Sequence, residues 1–220
     1  GLVGEAQKAV SVPVIASVHC LSAGSWVDFA RRVEQAGADA LELNVFVMPS
    51  DPRLDGREVE KLYFDVVSKV KAQISIPLSI KIGFFFSGLL KMMVDLSNSD
   101  LDGLVLFNRF YCPDIDLEKL ELRPSRITSS PDEYTRTLRW VSILSGRTNC
   151  DIAASTGIHD GKTAAKMLLA GADAVQVVSA LYKNGVEHLG AMRAELEEWM
   201  GGHGFGSLAD FRGKLSQEES

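Results

Sequence analysis

The chain has 220 residues, 46% of them hydrophobic and 24% charged, and a formal net charge of −6 at pH 7. This composition is typical of a soluble globular protein with one substantial core. The acidity argues against nucleic acid or an anionic membrane surface as the main partner. Three widely spaced cysteines, Cys20, Cys112 and Cys150, form neither a disulfide framework nor a metal motif, so we expect no metal site. No apolar run approaches the roughly 20 residues that span a bilayer, and we expect a cytoplasmic protein.

Short apolar runs alternate with amphipathic stretches along the whole chain. The first ten residues are typical of the end of a helix that leads into a strand. Strands are then predicted at 13–19, 40–46, 77–82, 103–107, 151–154 and 174–178, and helices at 25–35, 59–72, 87–96, 131–144, 162–170 and 186–200. Gly37 and Gly171 lie in two matching joints, where glycine supplies a left-handed cap between helix and strand. This alternation indicates βαβ units with parallel strands buried on both faces.

The pattern predicts an α/β fold, specifically an incomplete TIM (β/α)₈ barrel with about six βα units. Such barrels typically have eight strands in about 250 residues, so we expect residues 1–220 to be a single barrel domain that lacks the N-terminal two strands. An open α/β sheet is the alternative, although no Gly-x-Gly-x-x-Gly motif follows the first strand. The long connection at 111–130 is expected to be a lid or excursion over the active face.

Lys81 is the most informative residue at the carboxyl ends of the strands, where such barrels carry their chemistry. It lies between Ile80 and Ile82 in an apolar strand, and alternation places it on the opposite face from both. A lysine in this position either extends outward between helices or faces an anion or ligand.

Small residues follow the last two predicted strands. Ser155, Thr156 and Gly157 follow the fifth strand, and Ser179 ends the sixth. Small residues allow backbone N–H groups to approach an anion, and barrels of this type often bind phosphate after their last two strands. Two tight turns with nothing bound are the alternative.

The chain resembles the dihydroorotate dehydrogenase family in short motifs along most of its length. They are Glu42-Leu43-Asn44, Ser79-Ile80-Lys81, Phe107-Asn108, Thr156-Gly157-Ile158 and the run from Gln176 to Gly185. The tail at 204–215 is similar to the ending of the soluble, cytosolic class. The resemblance implies an FMN-dependent barrel oxidoreductase that oxidises the CH–CH bond of dihydroorotate or a related small anionic substrate, as in pyrimidine biosynthesis.

The resemblance also implies roles for individual residues. Lys81 matches the lysine that donates to the flavin ring, and Ser17 matches a flavin-contacting position. Asn44 matches an asparagine that contacts flavin or the orotate-like substrate, and Asn108 a substrate-contacting one. Two backbone turns, Thr156-Gly157 and Val178-Ser179, match those that hold the FMN phosphate.

Four positions depart from the family pattern in ways that affect the chemistry. Val47 occupies the position of the family's cysteine or serine base, so the catalytic base is unassigned, with Ser50 and Asp51 as candidates if the loop is rearranged. Thr156 and Val178 replace common glycines, and phosphate binding then requires ordinary backbone angles at both positions.

Arg109 stands where a small hydroxyl residue is common. It would either bind an anionic substrate or form an ion pair with Asp114 or Asp116.

Two other functions remain open from the sequence. One is a phosphate-binding barrel lyase or isomerase in which Lys81 forms a Schiff base, and the other is a non-catalytic, degenerate barrel. An open six-stranded array exposes two edges, so we expect a homo-oligomer or a fragment of a longer chain.

Overall fold

The computed structural model describes residues 1–19 and 23–217, so Cys20 lies outside the described residues. Within this part of the chain the α-helices are α1 (Leu2–Ala9), α2 (Ala23–Gln35), α3 (Gly56–Lys71), α4 (Leu89–Ser97), α5 (Tyr134–Leu144), α6 (Gly161–Ala170), α7 (Ser179–Asn184) and α8 (His188–Gly202). The strands are β1 (Ile15–Val18), β2 (Ala40–Asn44), β3 (Leu78–Ile82), β4 (Gly103–Leu106), β5 (Pro113–Asp116), β6 (Glu121–Pro124), β7 (Asp151–Ser155) and β8 (Ala174–Gln176). Short 3₁₀ helices occupy Pro131–Glu133 and Leu208–Asp210.

The six predicted parallel strands are all present. They form a sheet in the order β1-β2-β3-β4-β7-β8, and a helix follows each of them along the chain. The predicted α/β class with six βα units is therefore confirmed. Gly37 and Gly171 have φ of 91° and 111°, which confirms the two left-handed joints.

The chain is divided into two compact units. Unit 1 consists of Gly1–Leu106 and Arg147–Ile152. In unit 1 each of β1, β2 and β3 pairs in parallel with the next strand along the sequence. One face of these strands is apolar and fully buried; its members are Leu41, Leu43, Leu78, Ile80 and Ile82. Helix α3 begins with a capping box between Asp55 and Glu58, which satisfies the first backbone N–H groups of the helix.

Unit 2 consists of Phe107–Gly146 and Ala153–Ser220. The later residues of β7 pair in parallel with β8, from Ala153 onward. The segment predicted as a long connection contains an antiparallel hairpin, β5–β6. Helix α6 packs tightly on α8, since a Cβ at Gly161 would collide with the Met192 backbone.

The boundaries after β8 differ from the prediction. We predicted a strand to residue 178 and a helix at 186–200, but β8 ends at Gln176 and the extra helix α7 follows at once. Gly185, with φ of 86°, separates α7 from α8. A positive φ favours glycine, and this glycine breaks what would otherwise be one helical region.

Candidate functional site

One face of β1, β2 and β3 in unit 1 carries polar side chains. The register places Ser17 beside Glu42, Glu42 beside Ser79, and Asn44 beside Lys81. Side chains alternate along a strand, so these five residues share the face opposite the buried apolar one. The Ser17 hydroxyl donates to Glu42 Oε1 at 2.7 Å, and Glu42 is only 4% exposed. This strand face, which we call the polar strand face, combines a buried carboxylate with a lysine.

Lys81 is half-buried and shares its face with Glu42 and Asn44 rather than with Ile80 and Ile82. Lys81 therefore lies opposite the apolar face, as alternation predicts, and that it faces an anion or ligand stays a prediction. Burial lowers the pKa of Lys81, and the negative charge of Glu42 opposes that shift. The arrangement places an amine that can donate hydrogen bonds to an electron-rich group beside a carboxylate.

His19 lies at the end of β1, one residue beyond the strand. Its Nδ1 is hydrogen-bonded to the Asn44 backbone carbonyl at 2.8 Å. Its ring makes edge-on contacts with Trp26 and Phe46, each at 6.3 Å between ring centroids. The sequence alone gives His19 no role, because a lone histidine carries no motif.

The loop after β2 holds Val47, which the resemblance implies stands at the base position. The Val47 backbone is hydrogen-bonded to the hydroxyl of Tyr63, which is 1% exposed. Burial raises the pKa of Tyr63 to about 12, and the hydrogen bond with Val47 opposes the rise. This hydrogen bond holds the loop in place. It argues against the loop rearrangement that Ser50 or Asp51 would require in order to act as the base.

Asp51 is engaged by its own loop. Its carboxylate accepts hydrogen bonds from the Arg53 side chain and backbone, at 2.7 to 3.0 Å. The Arg53 side chain is the main cause of the lowered pKa of Asp51. A carboxylate with a lowered pKa is a weaker proton acceptor, so Asp51 is a poor candidate for a catalytic base.

In unit 2 the turn after β7 has an unusual backbone. Thr156 and Gly157 have φ of 78° and 79°. The condition that Thr156 has ordinary backbone angles is therefore not met. The Thr156 hydroxyl donates to the Phe107 carbonyl at 3.0 Å, and this bond helps to hold the strained residue. Gly157 cannot be replaced easily, since a Cβ there would collide with the Tyr134 backbone nitrogen. Val178 has a negative φ of −130°.

Ser179 begins α7 and is tied to the segment that precedes α5. Its hydroxyl accepts a hydrogen bond from the Ser129 backbone N–H at 2.9 Å, which leaves the hydroxyl hydrogen available for a ligand. Lys183 donates to the Ser129 carbonyl at 2.7 Å, and the Ser129 hydroxyl is hydrogen-bonded to His159 Nε2 at 2.9 Å. This network fixes the Ser179 turn from outside its own helix.

Asn108 and Arg109 follow β4. Asn108 is 6% exposed. Arg109 donates from Nε to Glu133 at 2.8 Å and from Nη1 to the carbonyls of Arg126 and Ile127.

The predicted ion pair between Arg109 and Asp114 or Asp116 is wrong. Asp114 lies opposite Arg123 in the hairpin register and pairs with it at 2.9 Å. Asp116 accepts hydrogen bonds from the backbone N–H groups of Glu118 and Lys119 in the hairpin turn.

Across residues 1–19 and 23–217, no group of three or more histidine, cysteine or acidic side chains is placed to hold a metal ion. In the same residues no helix is long and apolar enough to cross a membrane. Cys112 and Cys150 are not in disulfides.

Comparison with known proteins identifies the family. A sequence model described as dihydroorotate dehydrogenase matches residues 3–200. A putative dihydroorotate dehydrogenase A (fumarate) from Aeropyrum pernix is 30% identical over 96% of this chain and 70% of the relative. A dihydroorotate dehydrogenase B (NAD(+)) catalytic subunit from Thermoplasma acidophilum is 29% identical over 91% of this chain and 68% of the relative. A chloroplastic dihydropyrimidine dehydrogenase (NADP(+)) from Arabidopsis thaliana is 25% identical over 88% of this chain and 50% of the relative. The chain belongs to the dihydroorotate dehydrogenase family.

Proposed function

We propose that this chain is an FMN-dependent oxidoreductase that acts on the CH–CH bond of dihydroorotate or a related small anionic substrate. Its relatives carry dehydrogenase names, and membership of their family supports an oxidoreductase. The observation that carries the proposal is the polar strand face, on which Lys81 lies beside Asn44 and is balanced by the buried Glu42.

The residues of the polar strand face fit a flavin ring chemically. FMN would supply the hydride acceptor. Lys81 would donate to the electron-rich side of the ring and stabilise negative charge there. Asn44 offers both a donor and an acceptor. The Ser17 hydroxyl already donates to Glu42, so it offers lone pairs to a ring N–H group.

In unit 2 the turns at Thr156-Gly157 and Val178-Ser179 would bind the FMN phosphate. Backbone N–H groups and the remaining hydroxyl hydrogen of Ser179 are the donors that an anion prefers. The positive φ of Thr156 departs from the condition set for this turn, so the proposal here depends on Gly157 and on the Ser179 turn, where Val178 has a negative φ.

Substrate recognition is proposed for Asn44, Asn108 and Arg109. Asn108 is nearly buried, and its side-chain amide offers both a donor and an acceptor, which suits a polar ring substrate. Arg109 adds positive charge, but its Nε and Nη1 hydrogens hold Glu133 and two carbonyls. The relatives are named for fumarate, NAD(+) or NADP(+), so we assign no electron acceptor.

The test is FMN binding by the purified 220-residue chain, followed by its absorption spectrum and titration. We expect a yellow complex, and we expect Lys81→Met to lower FMN affinity at least tenfold, since a charged hydrogen bond is worth about 1.5–3 kcal/mol. Lys91→Met is the matched control, because the side chain of Lys91 is 80% exposed on α4. Failure of the chain to bind FMN would overturn the proposal.

A second candidate is supported by the lowered pKa of Lys81, because a neutral amine is the form that attacks a carbonyl. In that case Lys81 would form a Schiff base with a phosphorylated carbonyl substrate. Borohydride trapping separates the two functions, since labelling of Lys81 is expected only for the lyase or isomerase. A chain that binds neither flavin nor sugar phosphate would favour the non-catalytic, degenerate barrel.

We also propose that residues 1–220 act as one FMN-type barrel domain. A second proposal is that the chain forms a homo-oligomer. Sedimentation as a monodisperse monomer would contradict the second.

A further inference from the structure

His19 lies in a row with two residues of the polar strand face. Val18 pairs with Leu43, so the next residue, His19, lies beside Asn44, which pairs with Lys81. Neighbouring strands lie about 4.8 Å apart, so the row spans roughly 10 Å from His19 to Lys81. A small planar ring bound at these strand ends would have His19 at one side and Lys81 at the other.

The hydrogen bond of His19 fixes which ring nitrogen can accept a proton. A backbone carbonyl is only an acceptor, so Nδ1, at 2.8 Å from the Asn44 carbonyl oxygen, must carry the hydrogen. In the neutral ring Nε2 then holds the lone pair. A catalytic histidine is often oriented by a carbonyl or carboxylate that accepts a hydrogen bond from the ring nitrogen opposite the basic one. The Asn44 carbonyl accepts such a bond from Nδ1 of His19.

The imidazole is also held by its neighbours. Trp26, which is almost fully buried, and Phe46 contact it edge-on. Phe46 directly precedes Val47, so His19 lies against the loop that carries the base in other family members. His19 itself is exposed, so a substrate can reach it.

Two described residues of this loop are poor proton acceptors. Val47 has no titratable group, and its backbone is held by Tyr63. Asp51 is paired with Arg53, which lowers the pKa of its carboxyl group. Proton removal from carbon still requires a base, whatever the hydride acceptor.

We propose that His19 is the general base of this enzyme, replacing the missing base at Val47. The proposal rests on the proposed function. His19 Nε2 takes the proton from the carbon next to the ring carbonyl of the dihydropyrimidine. The electron pair of that C–H bond forms the C=C bond, and bound FMN would supply the acceptor for the hydride that leaves the neighbouring carbon. His19 becomes an imidazolium, which returns its proton to water.

The test compares His19→Asn with the wild-type chain, both loaded with FMN. Asparagine keeps a donor close to the position of Nδ1, and therefore the bond to the Asn44 carbonyl, but it has no basic nitrogen. We expect FMN affinity, orotate binding (measured as a shift in the flavin spectrum) and thermal stability to be retained. Flavin reduction by dihydroorotate in anaerobic stopped flow is expected to fall by about 10²–10⁴-fold, the usual contribution of a general base.

His203→Asn is the matched control. His203 also bonds a backbone carbonyl through Nδ1, that of Trp199 at 2.8 Å, and it also contacts an aromatic ring, but it caps the end of α8. This variant is expected to reduce flavin at the wild-type rate. A double variant, His19→Asn with Val47→Cys, is expected to recover part of the lost rate because it restores a base on the loop.

A second measurement does not depend on flavin turnover. The wild-type chain without FMN is expected to catalyse exchange of deuterium from D₂O into the carbon next to the carbonyl of dihydroorotate, observed by NMR, and His19→Asn to abolish it. Equal exchange, or equal flavin reduction, by the wild type and His19→Asn would overturn the proposal. So would a wild-type chain that binds FMN but whose flavin is not reduced by dihydroorotate. Absence of FMN binding by the wild type would instead reject the proposed function itself.

Discussion

The two units carry their proposed ligand-binding residues in different ways. In unit 1 they are side chains on regular strands, and the chemistry depends on the charges of Glu42 and Lys81. In unit 2 they are turns, in which Thr156 and Gly157 adopt positive φ and Ser179 is tied to Ser129. We therefore expect side-chain substitutions in unit 1 to alter the ionisation of its residues. In unit 2 we expect small steric changes to alter the backbone conformation of the turns.

The largest effect is expected from Gly157→Ala in unit 2. A Cβ would collide with the Tyr134 backbone, and φ is 79°, so we expect a loss of about 3–5 kcal/mol in the free energy of unfolding. Urea unfolding measures it. Gly190→Ala is the control, since nothing lies within 4 Å of a Cβ at this position in α8, and this change should stabilise the chain by about 0.5–1 kcal/mol. Equal stability of the two variants would show that the turn is not constrained.

Arg109→Met should also destabilise unit 2. The variant loses hydrogen bonds to Glu133 and to the carbonyls of Arg126 and Ile127, and we expect a loss of about 2 kcal/mol. Trypsin should then cleave faster after Arg126, which limited proteolysis measures. Arg123→Met, which removes only an exposed ion pair, should leave this cleavage rate close to that of the wild type.

Tyr63 provides a pH test in unit 1. Its pKa is about 12 in the folded chain and near 10 when unfolded, so the unfolded state loses its proton first as the pH rises. The stabilisation, of order 2–3 kcal/mol, is complete below pH ~10 and is lost as the pH rises from about 10 to 12. The slope of unfolding free energy against pH between 9 and 11 should be smaller for Tyr63→Phe than for the wild type. Identical slopes would contradict the burial of this hydroxyl.

The smallest effects should come from exposed ion pairs on helices of either unit. Lys91 pairs with Asp95 in α4, and Arg193 with Glu197 in α8, each four residues apart. Replacing either basic residue with alanine is expected to change stability by less than about 0.5 kcal/mol. Thermal unfolding measures the stability of both variants. A clearly larger loss of stability in one unit would show that the two units also differ outside their proposed ligand-binding residues.

The sequence predicts the strand-borne residues well because alternation fixes the face of a side chain. Lys81 is placed opposite Ile80 and Ile82 by period two alone, and the structure agrees. The coupling of Glu42 to Ser17 and Lys81 was not predicted, because it depends on the register between strands, which one sequence does not specify.

The turns and the hairpin are harder to predict from the sequence. Thr156 has a backbone conformation that threonine rarely adopts, and it is held there by surrounding structure. The hairpin β5–β6 contains two prolines and charged pairs such as Asp114 with Arg123, and its strands show little of the apolar alternation that predicts strands. The hairpin also explains why the partner of Arg109 was not predicted. Asp114, one of the expected partners, pairs with Arg123 across the hairpin, and Arg109 pairs with Glu133.

The composition of unit 1 has a consequence for how the protein is made. Its last piece, Arg147–Ile152, is synthesised only after the hairpin and α5, which belong to unit 2. Strands β1 to β4 can pair in the order in which they leave the ribosome, but Asp151, whose N–H donates to the Asp102 carbonyl at 3.1 Å, arrives later. A nascent chain that stops before residue 147 therefore leaves the β4 edge of unit 1 uncovered, and such an edge is open to pairing with another chain.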